Sequence, residues 1–271
     1  MYALGLDWIS TKKGWAFCKL SLKGQQSQIE LGTLPIGHES GKLITDASNV
    51  VIDAPIGLPD TSQVAMQLRA CDHAARSWIG PDLRGTVFPA PVLDELHAWR
   101  AIRITGAKQK QGHSRGLLPA IDSASLICES NLNVLESHPE LVFSSLYGKP
   151  LPRIAVKANI FGQSVRLAIL KTVAKLNFTL DDYSRLMPAL GVISTDNFTD
   201  AIAMAAVANS WSVNGTVQVL ISANGTPEPL PSNQAEWLRL MALPSPHLNS
   251  SRQAVATPEE LLSIATAWMR G

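Results

Sequence analysis

The first fifth of the chain contains four strand-like segments, and the way in which they are joined constrains the fold more than any other feature. Apolar segments at Tyr2–Ile9, Trp15–Leu20 and Ser27–Leu34 are separated by only a few turn-forming residues, a spacing typical of an antiparallel meander. The fourth segment, Asn49–Ala54, is continuously apolar up to its acid. Such a run indicates a strand that is buried on both faces, as in parallel pairing.

Helical periodicity dominates the rest of the chain, interrupted by one more short strand at Asn133–Ser137. Helices are predicted over the following ranges: Glu39–Ala47, Thr61–Ile79, Lys157–Leu176, Asn197–Trp211 and Pro258–Met269. Because crossover connections between parallel strands are right-handed in nearly all proteins, the first, fourth and fifth strands can lie side by side. We therefore predict an α/β fold, a mixed sheet of three antiparallel strands plus parallel strands, flanked by helices.

The 271 residues suffice for one large domain or two small ones. The region from about 80 to 131 mixes Pro and Gly with short helical patterns, which is typical of a helical insertion. We expect one domain over residues 1–221 that contains this insertion. Residues 222–271 are rich in Pro, Ser and Asn, and we expect them to form a largely irregular extension that packs on the same domain and ends in a helix.

Composition excludes several classes of protein. The longest run without a polar side chain, Ala201–Ala208, is far shorter than the ~20 residues that cross a bilayer, so no membrane partner is expected. Three cysteines without a C-x-x-C spacing argue against a disulfide framework and against a thiolate zinc site, and they favour a cytoplasmic location. The sequence does not indicate an oligomeric state.

Charge is nearly balanced overall, with a formal net charge of +1, but it is unevenly distributed. Two stretches without acids, Leu96–Ile121 and Leu141–Leu180, contain five and six bases respectively. This distribution permits a phosphate-binding face. Solvated helix faces that happen to lack acids explain it equally well.

Carboxylates end three of the predicted strands. Asp7 ends the first strand, Asp53 the fourth and Glu136 the fifth, while Asp196 and Asp200 are four residues apart on one face of an Ala-rich helix. If these acids converge, mutual repulsion raises their pKa values unless a cation neutralises them. All-carboxylate ligation favours Mg²⁺ or Mn²⁺, and a pair of such ions ~3.5–4 Å apart can bind a phosphodiester.

Each acid also has a structural explanation. Asp7 could cap the turn before Gly14, Asp53 could form an Asx-turn, and Asp196 could be a helix N-cap. Asp200 would benefit from the helix dipole, and Glu136 could pair with a nearby base. The sequence leaves these alternatives open.

Seven segments together carry a resemblance to a known family. They are LGLDWISTKKGWA (4–16), VIDAPIGLP (51–59), RACDHAAR (69–76), VFPAP (87–91), ESHPELVFSSLYG (136–148), the spaced Lys157, Gly162 and Arg166, and TDAIAMAAVA (199–208). In these segments the chain resembles domain-of-unknown-function family 429, a bacterial and archaeal group predicted to be RNase H-like nucleases. The resemblance implies an RNase H-like fold and a site built from Asp7, Asp53, Glu136 and Asp200, with Asp196 as a further metal ligand.

Five further residues are candidates for binding substrate. Arg69 and Arg76 share a helix face with Asp72, so they could clamp phosphate or form structural ion pairs. His138 follows Glu136 by two residues and would share its face on a continuing strand, or it could be held in the turn before Pro139. Candidates from the second acid-free stretch are Lys157 and Arg166, which could neutralise phosphate or be solvated. Trp99 could stack on a base or serve as a buried anchor.

These observations predict a cytoplasmic, Mg²⁺- or Mn²⁺-dependent nuclease that hydrolyses phosphodiester bonds of DNA or RNA. Two alternatives remain. One is a non-catalytic nucleic-acid-binding or protein-binding module on the same fold. The other is an actin-like phosphotransferase, in which Leu4–Ala16 would be a phosphate hairpin, although no second Gly-rich nucleotide motif is present in the sequence.

Overall fold

The computed structural model of the chain describes most of the first 220 residues and parts of the remainder. The described residues are 1–23, 26–59, 68–105, 116–148, 150–151, 155, 157, 160–172, 174, 176, 195–215, 217–220, 226–234, 240–243 and 263. The predicted terminal helix at Pro258–Met269 lies almost entirely outside them.

A five-stranded mixed sheet forms the centre of the structure. Its strands are β1 (Tyr2–Ser10), β2 (Gly14–Lys23), β3 (Gln26–Leu34), β4 (Ala47–Asp53) and β5 (Val134–Glu136). Their order in the sheet is β3-β2-β1-β4-β5. The first three strands pair antiparallel, whereas β4 and β5 add in parallel to β1. The predicted α/β fold with its mixed sheet is confirmed, and it is consistent with the RNase H-like architecture.

Helices cover both faces of this sheet. They are α1 (Lys42–Thr45), α2 (Ala70–Ile79), α3 (Leu93–Thr105), α4 (Leu118–Ser130), α5 (Pro139–Tyr147), α6 (Ile160–Thr172) and α7 (Thr195–Asn214). A turn of 3-10 helix at Arg84–Thr86 lies between α2 and α3.

The two faces of the sheet have separate cores. On one face, residues such as Ala3 and Val51 pack with α5, α6 and α7. On the other face, Leu4, Leu6 and Ile52 pack with α1 and α4. This alternation along β1 and β4 decides which side of the sheet each candidate acid faces.

A second, small antiparallel sheet follows α7. It consists of β6 (Gln218–Leu220), β7 (Glu228–Pro229) and β8 (Met241–Leu243), in the order β7-β6-β8. The short strands β7 and β8 lie within residues 222–256, which were expected to be largely irregular. Ser137 Oγ donates a hydrogen bond of 2.7 Å to the carbonyl of Ala242, which ties β8 to the end of β5.

The first part of the helix predicted at Thr61–Ile79, residues 61–67, lies outside the described residues, and Leu68 and Arg69 are not helical. Within the described residues the helix starts at Ala70, because Arg69 is an N-cap residue with extended backbone. The backbone N–H of Arg69 donates to Asp72 Oδ2 at 2.8 Å, so the side chain of Asp72 closes the first turn. In the described part of the chain, no helix has both the length and the apolar character needed to cross a bilayer.

Candidate functional site

Asp7 and Asp53 stand side by side on neighbouring parallel strands. They are register partners in the pairing of β1 with β4, so both side chains leave the same face of the sheet at its carboxyl edge. A hydrogen bond joins the two carboxyl groups. The sheet itself therefore brings these two acids, forty-six residues apart in sequence, into contact.

Helix α7 brings a third acid to the same place, and Gly5 makes this approach possible. A Cβ at position 5 would lie 2.1 Å from the Ala201 carbonyl oxygen and 2.1 Å from the Ala205 backbone nitrogen. Because Gly5 and Asp7 are two residues apart on β1, they share the face that meets α7. The close contact of backbone with backbone therefore sets Asp200, the residue before Ala201, beside Asp7.

Burial and neighbouring charge raise the pKa of Asp7 well above its ordinary value. Loss of hydration is the largest cause, followed by the negative charges of Asp53 and Asp200. One hydrogen bond lowers the pKa of Asp7 instead: Asn197 Nδ2 donates to Asp7 Oδ2 at 2.5 Å. Asp7 therefore holds its proton more tightly than an Asp side chain does in water.

Two cations hold Asp200, which is completely buried. Lys157 Nζ donates to its Oδ2 at 2.7 Å, and an Arg166 guanidinium nitrogen lies 3.3 Å from its Oδ1. Burial nevertheless raises the pKa of Asp200 to about 6, with the two cations offsetting part of that effect. The same carboxylate, together with Glu140, raises the pKa of Lys157 despite its burial, so Lys157 remains charged.

Glu140 is a buried acid of this cluster that the sequence analysis did not single out. Its Oε1 accepts a 2.8 Å hydrogen bond from Arg166. Burial opposes its ionisation, but Arg166, His138 and Lys157 outweigh burial and hold its pKa at about 2. Glu140 therefore stays ionised and anchors Arg166, which in turn contacts Asp200. The only sequence signal was its place in the ESHPELVF segment.

The structure places Glu136 outside this cluster. Val134 and Glu136 alternate with Leu135 along β5, and Val134 packs in the core that contains Leu6, so Glu136 faces the side of the sheet opposite Asp7. Both of its carboxylate oxygens accept hydrogen bonds from Arg69. Burial raises the pKa of Glu136, and Arg69 partly offsets this rise.

Arg69 is buried and fully engaged. Besides Glu136, it binds both oxygens of Asp72, at 3.0 and 2.7 Å, and the carbonyl of Gly57 at 3.0 Å. Of the two interpretations left open by the sequence, the structure displays the ion pair. This guanidinium neutralises two buried acids and joins α2 to β5.

Arg76 and His138 both hold the loop that contains Val87, and His138 also lies beside Glu140. Arg76 donates twice to the carbonyl of Val87, at 3.0 and 2.6 Å. The expected continuation of β5 to His138 is wrong, because the strand ends at Glu136 and His138 is the N-cap residue of α5. Its ring Nε2 lies 3.1 Å from the Thr86 carbonyl, and its Nδ1 lies 3.5 Å from Glu140.

Asp196 lies in the first turn of α7 and is partly exposed, one helical turn before Asp200. It is not the N-cap residue that the sequence permitted. The charges that raise the pKa of Asp7 are those of Asp53 and Asp200. The structure thus brings together Asp7, Asp53 and Asp200, while Asp196 is at the margin and Glu136 is on the other face.

The described bases of the first acid-free stretch do not form an open basic surface. Arg100 and Arg103 both bind Asp122, at 2.6 and 3.3 Å. Trp99 is partly buried, and the guanidinium of Arg103 lies 5.3 Å above its ring. Trp99, Arg103 and Asp122 border a cavity of about 330 Å³ between α3, α4 and the segment after β3.

The acid cluster offers hard oxygen ligands, but few of them are free to accept a cation. Within the ranges that the structure describes, no group of three or more His, Cys, Asp or Glu side chains is arranged to hold a metal ion. Lys157 and Arg166 already bind the two carboxylate oxygens of Asp200. Asp7 and Asp53 are joined by a hydrogen bond, and a cation could replace the proton of that bond. The donor set therefore fits one divalent cation on Asp7 and Asp53 better than the expected pair.

The cysteines do not provide a nucleophile. All three are free, and Cys18 and Cys71 are buried. Burial raises the pKa of these two thiols well above the ordinary range and raises that of Cys128 to about 12. A thiol with such a pKa is protonated near neutral pH and is a poor nucleophile.

Comparison with known proteins gives one match. A family profile described as "Protein of unknown function (DUF429)" matches residues 5–225, a span that contains the whole acid cluster. No curated protein and no solved structure matches the chain.

Proposed function

Since the chain belongs to the DUF429 family of proteins of unknown function, whose description assigns no chemistry, we propose from its acid cluster that it is a divalent-cation-dependent nuclease. The contact between Asp7 and Asp53, with Asp200 alongside, carries this proposal. Asp7 and Asp200 are buried and Asp53 is half-buried beside them, and acids gathered in this way destabilise the folded state unless a proton or a cation neutralises them.

Asp7 and Asp53 would hold the cation, because their oxygens are hard ligands of the kind that Mg²⁺ and Mn²⁺ prefer. When bound, the cation supplies Lewis-acid chemistry, neutralising a phosphodiester and making water more acidic. Asn197 fixes the orientation of the Asp7 carboxylate through its 2.5 Å hydrogen bond. A second ion would require Asp200 to release Lys157.

Among the acids of the cluster, we assign Asp200 as the group that takes the proton of the attacking water. Its pKa of about 6 lies close to neutral pH, where a general base is most effective. The water oxygen forms a bond to phosphorus, its proton goes to Asp200, and the bond from phosphorus to the leaving oxygen breaks. The leaving oxygen then takes a proton from solvent, which completes the hydrolysis.

Lys157 is positioned to meet a substrate phosphate. Its side chain is about a third exposed, at 37%, and its positive charge is maintained by Asp200 and Glu140. An ammonium at this position can neutralise a non-bridging phosphate oxygen while it contacts Asp200. Arg166, which is completely buried, contacts Asp200 and holds its carboxylate in place. The three free thiols suit the reducing cytoplasm, which is the location we propose.

The proposal is tested by incubating labelled single-stranded and duplex oligonucleotides with the purified chain and Mg²⁺ or Mn²⁺. We expect cleavage by the wild type, none in EDTA, and at least a hundredfold loss in Asp7→Asn. Asp94→Asn is the matched control, because Asp94 is an exposed acid on α3. If Asp7→Asn cuts as fast as the wild type, the mechanism is wrong. Metal-independent binding without any cleavage would favour a non-catalytic module instead.

A further inference from the structure

Phe88 exposes its ring to solvent, whereas neighbouring residues are buried or hydrogen-bonded. Among the aromatic side chains in the described part of the chain, only that of Phe88 is mostly exposed, at 63%. The neighbours Val87, Ala90 and Pro91 are all buried. An isolated exposed apolar residue needs no explanation by itself, so the position of this ring must decide whether it has a role.

Two side chains hold the backbone directly before Phe88. Arg76 donates two hydrogen bonds to the Val87 carbonyl, and the ring of His138 contacts the Thr86 carbonyl at 3.1 Å. Proline at positions 89 and 91 further restricts the backbone. Phe88 is therefore displayed on a stiff support, which lowers the entropy lost when a ligand contacts it.

The same support is linked to the acid cluster by direct contacts. His138 Nδ1 lies 3.5 Å from Glu140, Glu140 binds Arg166 at 2.8 Å, and Arg166 contacts Asp200 at 3.3 Å. These contacts connect the support of Phe88 to the residues that hold Asp200. The proposed acid chemistry gives no role to the VFPAP segment (87–91), and a ligand contact at Phe88 would give it one.

We infer that Phe88 is a stacking platform for a base of the substrate, and that the substrate is a single strand. This inference rests on the proposed function, because it assumes a nucleic-acid substrate. In a continuous duplex each base is stacked on both neighbours and offers no free face. An exposed aromatic ring stacks on any base with little sequence preference. Arg76 and His138 are positioning residues that act through the loop.

The test measures binding in EDTA, so that it does not depend on cleavage. The probe is a short single-stranded oligonucleotide in which one adenine is replaced by fluorescent aminopurine, whose emission is quenched by stacking. Binding is compared for the wild type, Phe88→Ala, Phe88→Leu, Phe88→Tyr and Leu132→Ala. Leu132 is a matched control, because it is an exposed apolar residue at the opposite end of β5.

We expect Phe88→Ala and Phe88→Leu to bind about tenfold more weakly and to lose the quenching, since base stacking contributes of the order of 1–3 kcal/mol per base. Phe88→Tyr keeps the ring and should bind within about twofold of the wild type, as should Leu132→Ala. A duplex of the same sequence should bind more weakly than the strand.

Two results overturn the inference. One is that Phe88→Leu binds and quenches like the wild type, and the other is that duplex binds as tightly as single strand. Ring-dependent binding without cleavage in any divalent metal would support Phe88 as a platform and would overturn the nuclease proposal. No binding of the wild type to either probe overturns both.

Discussion

Asp7 and Asp53 are register partners on adjacent parallel strands, and their carboxyl groups share a hydrogen bond at the edge of the sheet. The pairing follows directly from the parallel addition of β4 to β1. Because α7 then brings Asp200 to the same face, the fold concentrates negative charge in a buried place. The stability of the protein and its proposed chemistry therefore depend on the same groups.

Replacing Asp7 by Asn should stabilise the folded protein at high pH in the absence of divalent cations. Burial and Asp53 raise the pKa of Asp7 in the folded state, so the folded chain binds this proton more tightly than the unfolded chain. The wild type therefore loses stability as pH rises above the ordinary Asp pKa of about 4. Asn cannot ionise, so Asp7→Asn should exceed the wild type at about pH 8 and lose this advantage towards pH 4.

Urea denaturation in EDTA at the two pH values measures this difference. Asp94→Asn, at an exposed position, should follow the wild-type pH dependence. A wild type that is more stable than Asp7→Asn at about pH 8 would show that ionised Asp7 is not under electrostatic strain.

Gly5→Ala should destabilise the protein and displace α7. The added Cβ would meet backbone atoms of Ala201 and Ala205 at 2.1 Å, and backbone cannot rotate away as a flexible side chain could. Overpacking of this kind costs about 1–3 kcal/mol or more. Gly85→Ala is the matched control, since a Cβ there meets nothing within 4 Å. In thermal unfolding, Gly5→Ala should have a lower Tm than the wild type, whereas Gly85→Ala should not. Equal Tm values for the two variants would refute the role of Gly5.

Arg69→Met should be strongly destabilising because it leaves Asp72 and Glu136 buried without their cation. Breaking a buried ion pair by removing one partner costs about 3–5 kcal/mol. Burial already raises the pKa of Glu136, and loss of Arg69 raises it further. Part of the lost stability should therefore return as pH falls and Glu136 takes up a proton.

The control for Arg69 is Arg103→Met, which removes an arginine that is 59% exposed and should cost at most about 1 kcal/mol. Urea denaturation at about pH 7 and pH 5 separates the two variants. A loss for Arg69→Met no larger than that for Arg103→Met would contradict the role given to Arg69.

Lys157→Met should shift the acidic limb of the pH–rate profile upwards. The proposed general base, Asp200, has a pKa raised to about 6 by burial, and Lys157 is the cation that offsets this rise most. Activity of the wild type should therefore fall as Asp200 takes up a proton below about pH 6, and the fall should begin at higher pH without Lys157. Lys171→Met, an exposed lysine on α6, should leave the limb in place. An unchanged limb in Lys157→Met would exclude Asp200 as the base.

Much of the fold could be predicted from the sequence because hydrophobic periodicity is local. The segment Asn49–Ala54 was recognised as a parallel strand from its continuous apolar run, and β4 confirms it. The boundaries of α2 could not be predicted as well, since Leu68 continues the helical pattern although Arg69 is extended. The N-cap pairs the Arg69 backbone N–H with Asp72, and the Arg69 side chain also binds Glu136, which is distant in sequence.

The candidate site shows the same division between local and distant information. Asp7 and Asp53 could be proposed as neighbours because parallel strands end at one edge of a sheet. Strand register could not be predicted, and register decides that Glu136 pairs with Ile52 and faces away from Asp7. The position of His138 had a local signal, since Pro139 favours the first position of a helix. The role of Glu140 depends on its contact with Arg166, twenty-six residues further along the chain. No spacing rule indicates that contact.

The most direct test of the acid cluster as a cation site is a calorimetric titration of Mn²⁺ into the purified chain. The geometry predicts saturation near one ion per chain, with protons released as Asp7 gives up its shared proton. Asp94→Asn should bind like the wild type, and Asp7→Asn should bind at least about tenfold more weakly. Equal Mn²⁺ binding by the wild type and Asp7→Asn would contradict the account.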